Sequence, residues 1–115
     1  MHKIDGRVLG IEQGSALLFS DFEFGGEMWI GDGPRCKRVP VQFKEKYRNK
    51  PAVQVHLQMW DMDQRFNQRA EITAENISRE GFEIVFKTWG DTKVARVAAS
   101  WTAMGQTEYE DDFAL

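Results

Sequence analysis

Cysteine is nearly absent from the chain: Cys36 is the single thiol in 115 residues. One cysteine cannot close an intrachain disulfide, and it cannot build a cysteine-based metal site. Histidine is almost as scarce, with only His2 and His56. His2 lies at the terminus, and His56 sits inside an alternating strand pattern, where an ordinary strand residue is a plainer reading than a catalytic base. Positive charge is not in excess either. A net charge of -3 and a pI near 5.4 argue against nucleic acid, because phosphate binding needs clustered cations. No apolar run approaches the length of a membrane helix, so membrane insertion is not expected. The opening stretch MHKIDGRVLGIEQGS lacks the apolar core of a secretory signal. The expectation is cytoplasmic synthesis, with non-classical release or incorporation into a particle as outward routes. Helical periodicity and internal repeats are missing too.

What remains is strand signal. In AVQVHLQMW, Val53, Val55, Leu57 and Met59 alternate with Gln54, His56, Gln58 and Trp60, the period of two that a half-buried strand requires. RAEITAENI repeats it with Ala70, Ile72 and Ala74 on one face. GFEIVFKTW turns Phe82, Ile84 and Phe86 inward, and KVARVAASWTA does so with Val97, Ala99 and Trp101. VPVQF at 39–43 reads as an edge strand, because Pro40 cannot donate to a ladder. At least one more strand precedes it, near ALLF at 16–19. The short links NISREG at 76–81 and WGDT at 89–92 carry glycines suited to tight turns, whereas 44–51 and 61–68 are longer. The pattern predicts a single domain: an all-β, compact antiparallel sandwich. The segments flanking it are an N-terminal extension over 1–10 and an acidic tail over 106–115.

Two outward rows are rich in apolar residues. Val85, Lys87 and Trp89 lie opposite Phe86 in the alternation, and Trp60 lies opposite Met59. A two-sheet monomer buries one face of each sheet, so such rows point to a contact between protomers.

Catalytic chemistry is hard to assemble. Asp61 and Asp63 lack the further oxygen positions of a calcium loop, and GDGPR at 31–35 has the wrong glycine spacing for a dinucleotide loop. Asn76-Ile77-Ser78 is a formal glycosylation sequon with no signal sequence beside it. No enzyme activity, no metal and no cofactor are expected. A sugar site needs different materials: an aromatic face for the apolar side of a pyranose, and fixed polar groups that fork onto hydroxyls. Asp32, Arg35, Asn67 and Arg69 stand at loop–strand junctions, and Trp89 stands at a turn. Arg69 could equally pair with a carboxylate, and Trp89 could be core.

The order of residues resembles the H-type lectin domain, the family of the snail agglutinins and of the C-terminal part of the discoidins. The resemblance is carried by Pro51-Ala52-Val53, Asp61 followed by Asn67-Gln68-Arg69, Asn76-Ile77 with Gly81-Phe82, Thr88-Trp89, Thr92-Lys93-Val94 and Ser100-Trp101. IEQGS at 11–15 and Trp29 resemble the family's opening segment, so the likeness covers about residues 11–105. It implies a six-stranded antiparallel β-sandwich that assembles as a trimer and binds galactose or N-acetylgalactosamine in clefts between protomers. By that resemblance Asp32, Gly33 and Arg35 occupy the acidic loop and Arg69 matches the family's arginine. Trp89, followed by Gly90, matches the tryptophan turn offered by a neighbouring protomer.

Departures from the family shape the expectation. Gly90 stands where the snail lectins carry a histidine, and Ala95 where they carry an aromatic, which implies a wider, shallower cleft. The animal lectins' disulfide is missing, which suits a reducing compartment or a bacterial setting. The expected function is carbohydrate binding by a homotrimer, weak for a monosaccharide and strengthened by avidity on polysaccharide. The alternative is a structural trimeric spike or adaptor module of a larger assembly, such as a phage-like particle, with no working sugar site.

Overall fold

The computed structural model describes residues 1–107 and contains six strands: β1 (Leu9–Phe19), β2 (Arg35–Gln42), β3 (Ala52–Met62), β4 (Ala70–Glu75), β5 (Gly81–Thr88) and β6 (Val94–Gln106). They form two three-stranded antiparallel sheets, ordered β1-β6-β3 and β2-β5-β4. Between β1 and β2 lie a 3-10 turn at Asp21–Glu23 and one turn of helix, α1 (Glu27–Ile30). Among the described residues no helix is long and apolar enough to cross a membrane. The acidic tail, apart from its first two residues, lies outside the described residues.

The inward rows follow the alternation in the sequence. Phe82, Ile84 and Phe86 of β5 meet Val97, Ala99, Trp101 and Ala103 of β6, all buried. Rings interlock here: Trp101 packs edge-on to Phe82 at 5.4 Å, and Phe19 lies 5.5 Å from Phe86. Trp101 also explains a glycine. Gly14 pairs with it across β1 and β6, and a Cβ at Gly14 would come within 2.6 Å of the indole. β2 is an edge strand, as Pro40 requires, and the first strand is longer than the ALLF signal, running back to Leu9.

The two outward rows depart from expectation. Val85 is fully buried although it faces away from the core. Its cross-strand neighbours are Arg38 and Thr73, and Arg38 reaches Glu75 at 3.5 Å and Glu83 at 3.7 Å, with Lys87 4.0 Å from Glu75. Long charged side chains can cover apolar surface with their stems. Val85 is therefore no bare contact. Trp60 departs for a different reason. A register shift between Leu57 and Met59 sets Trp60 beside Val97, an inward residue. A bulge of this kind reverses which side of the sheet the following residues face. Trp60 accordingly borders a shallow hollow with Leu57, Met62, Gln68 and Ala70, where β3 approaches β4.

The apolar outward row lies elsewhere. Leu9, Ile11 and Leu17 of β1 and Met104 of β6 are exposed at 49%, 57%, 60% and 37%, and Ile11 pairs with Met104. Small or polar Gln13, Ser15, Ser100, Thr102 and His56 form a depression on this sheet.

Candidate functional site

One end of the sandwich gathers the loop 31–35, the junction 67–69 and the turn 89–92. The turn is possible because Gly90 has φ +68, a left-handed conformation that costs glycine little. Its carbonyl accepts the Gly33 amide at 2.8 Å and Arg35 Nη2 at 3.4 Å. Gly33 itself has φ +74. Gly33 and Arg35 are thus tied to the Trp89-Gly90 turn across more than fifty residues of sequence.

Arg35 is the internal fastener of this end. It is 6% exposed. Its Nε donates to the Gly33 carbonyl at 2.9 Å, and its Nη1 donates to the Met28 carbonyl at 3.1 Å and the Glu27 carbonyl at 3.4 Å. A buried guanidinium surrounded by carbonyls is a positioning group. It holds α1, the 31–35 loop and the Trp89 turn in one arrangement. Asp32 is held differently. Lys93 Nζ lies 2.7 Å from its carboxylate and donates to the Gly31 carbonyl at 2.7 Å. The hydrogen bond and charge of Lys93 hold the Asp32 carboxyl below its ordinary value.

The junction at 67–69 is pinned by two buried threonines. Thr92 Oγ1 accepts the Arg69 amide at 3.0 Å and donates to the Asn67 carbonyl at 2.6 Å. Thr88 Oγ1 donates to the Arg69 carbonyl at 2.6 Å. Asn67 Nδ2 donates to the Asp91 carboxylate at 3.2 Å. The Arg69 backbone is fixed, while its side chain is exposed. It passes over the turn: a Cβ at Gly90 would lie 3.4 Å from Arg69 Cδ and Nε. No described residue gives its guanidinium a hydrogen-bond or ion-pair partner. Trp89 is 39% exposed, and it is not a core tryptophan like Trp101.

Every candidate residue named from the sequence reaches this end, in unequal roles. Arg69 and Trp89 remain open to a ligand. Asn67 and Asp32 are exposed but already hydrogen bonded, Gly33 and Gly90 shape the backbone, and Arg35 is consumed within the fold. Arg69 and the Trp89-Gly90 turn are neighbours within one and the same protomer. Ala95 is a correction. It is 5% exposed, so its small side chain belongs to the interior and does not widen an open cleft. Sequence reasoning misses the roles of Thr88, Thr92 and Lys93, although all three sit inside motifs that carry the resemblance. Asp61 and Asp63 form no carboxylate pair, because Arg96 engages the first at 3.2 Å and Arg65 the second at 2.7 Å.

The described residues thus give this end of the β-sandwich a fixed frame, the open guanidinium of Arg69 and the exposed indole of Trp89. The H-type lectin domain model matches residues 38–104, and the chain belongs to that family. It is 53% identical, over 110 residues and 96% of both chains, to a Fuscovulum blasticum protein called ATP synthase subunits region ORF 7. It is 34% identical over 74 residues to a Discoidin-1 polypeptide of Dictyostelium discoideum, covering 64% of this chain and 29% of that one. The fold is similar to that of discoidin II from Dictyostelium discoideum, with a TM-score of 0.75 at 21% identity, over 90% of this chain and 39% of the other. The chain therefore spans well under half of the discoidins it matches. Membership of the lectin family supports carbohydrate binding.

Proposed function

We propose that this protein is a non-enzymatic lectin that binds galactose-type glycans at the Arg69–Trp89 end. The observation that carries this is Arg69: a side chain with a pinned backbone and a guanidinium to which no described residue is bonded. A guanidinium offers five donors in a rigid fork, which suits adjacent sugar hydroxyls. The Trp89 indole supplies the aromatic face for the apolar side of the ring, and Asp32 and Asn67 border the site as exposed polar groups.

The protein works as a homotrimer in this reading. The exposed row of Leu9, Ile11, Leu17 and Met104 on the β1-β6-β3 sheet is the contact surface, and the neighbouring protomer bounds the sugar cleft. Three sites on one particle favour clustered or repeating glycans through avidity. A second reading, a structural module of a larger assembly without a working sugar site, is favoured by one feature. Phe22, Phe24 and Ile30 are 59%, 73% and 65% exposed on the insertion between β1 and β2.

A glycan array on the purified protein separates the two. Retention on galactose-type or polysaccharide spots, lost in Arg69→Ala, supports the lectin. Indifference to every spot supports the structural module. Light scattering in reducing buffer tests assembly, with an expected mass of about three times the 13.3 kDa chain.

A further inference from the structure

Beyond Trp89, on the outer face of the β2-β5-β4 sheet, runs a groove of about 320 Å³ lined by Pro34, Cys36, Glu71, Lys87 and Trp89, with Arg35 and Thr88 also bordering it. The strand register explains it. Lys87 is flanked by Cys36 on β2 and Glu71 on β4, so one row of the sheet carries a small side chain, a cation and an anion. The small thiol of Cys36 makes the hollow, and the 31–35 loop walls it with Pro34. The volume lies within the range of small-ligand sites.

We infer that this groove is an extended subsite, which holds the second unit of a neutral oligosaccharide whose first unit lies on Trp89 beside Arg69. Such a subsite presupposes the carbohydrate reading above. Trp89 stands two positions beyond Lys87, a rise of roughly 7 Å in extended chain, which leaves room for one more ring along the sheet. The floor is apolar, as the face of a sugar ring requires. The rim pairs one acceptor with one donor: Glu71 is exposed, and Lys87 only grazes Glu75 at 4.0 Å. A hydroxyl can donate to the first and accept from the second. Arg35 also borders the groove but is buried with its donors spent on carbonyls. The charges open to solvent are therefore Lys87 and Glu71, one attracting and one repelling an anion, a balance that favours a neutral unit. Length of the glycan, and not avidity alone, then raises affinity.

Calorimetry with galactose, galactobiose and galactotriose, beside the matching glucose series, tests this on the intact protein. Both series enter because the groove does not dictate the sugar. The dissociation constant is expected to fall on the order of tenfold from the monosaccharide to the disaccharide in one series, with little further gain at the trisaccharide. Cys36→Phe, which fills the groove, and Glu71→Ala, which removes the acceptor, should each erase most of that gain. Monosaccharide binding should change less than about twofold in both. Equal affinity at every length, or a length gain that survives both substitutions, overturns the extended subsite and leaves the Trp89–Arg69 site standing. Absence of binding to every sugar, alone and on the array, overturns both.

Discussion

Arg35 and Arg69 lie at the same end of the molecule, one bonded to the Gly90 carbonyl and the other passing over Gly90, yet they do opposite work. Arg35 is buried and gives its donors to the carbonyls of Gly33, Glu27, Met28 and Gly90. Arg69 has its backbone held by Thr88 and Thr92 and its guanidinium left open. The lesson is that a guanidinium's function follows from where its donors go. When they are spent inside, the residue sets geometry; when they are left outside, it is available to a ligand.

That contrast can be broken most severely at Arg35. Arg35→Ala leaves several carbonyls without their donor, at roughly 1–3 kcal/mol for each group that water cannot reach. The expected outcome is a melting point lower by on the order of 10 °C or more, measured by differential scanning calorimetry. A melting point within a degree or two of wild type would make Arg35 dispensable and free it for a ligand role.

Ala95→Tyr comes next. The residue is buried, and overpacking a filled interior costs about 1–3 kcal/mol. Urea unfolding should show a lower midpoint, with no improvement in sugar binding. A tyrosine tolerated without loss would place position 95 in an open cleft after all.

Gly90→His is smaller. The left-handed backbone at φ +68 penalises any Cβ by roughly 1–2 kcal/mol, and the new side chain crowds Arg69. Stability should fall modestly and sugar binding should not sharpen. Tighter binding of free N-acetylgalactosamine by this variant would restore the family's histidine grip as the right comparison.

The smallest effect is at Asp63, which lies in the loop leading to Arg69. Hydrogen bonds from Arg65 hold its carboxyl down to about 2. A depressed carboxyl contributes stability above its ordinary value of 3.8 and loses it as pH falls through the folded value. The melting difference between wild type and Asp63→Asn should therefore be small, persist from neutral pH to about 4, and vanish toward pH 2. A difference that changes between pH 5 and 8 would assign the titration to another group.

Much of the fold was legible because strand alternation is a local signal. Phe82, Ile84 and Phe86 declared their face by spacing alone, and Pro40 declared an edge. The failures involve information that no local window holds. The register shift at Leu57 and Met59 turns Trp60 around without a glycine or proline to announce it. Val85 looked like a bare contact until Arg38, Glu75 and Glu83 from three strands closed over it. The site divides in the same way. Arg69 and Trp89 were named from motifs that resemble the family, and the fold sets Arg69 over the turn that carries Trp89. The internal role of Arg35 was not legible, because its acceptors include Gly90, fifty-five residues away. Ala95 misled because a residue beside a turn was placed in an open cleft, when the fold buries it.

The central claim is that Arg69 binds sugar without holding the fold. One paired measurement tests it: sugar titration and thermal unfolding of Arg69→Ala against wild type, on the same preparations. The account predicts loss of glycan binding with stability unchanged to within about 0.5 kcal/mol, as for an exposed side chain that the fold does not use. A variant that still binds the glycan, or one destabilised by several kcal/mol, would contradict it.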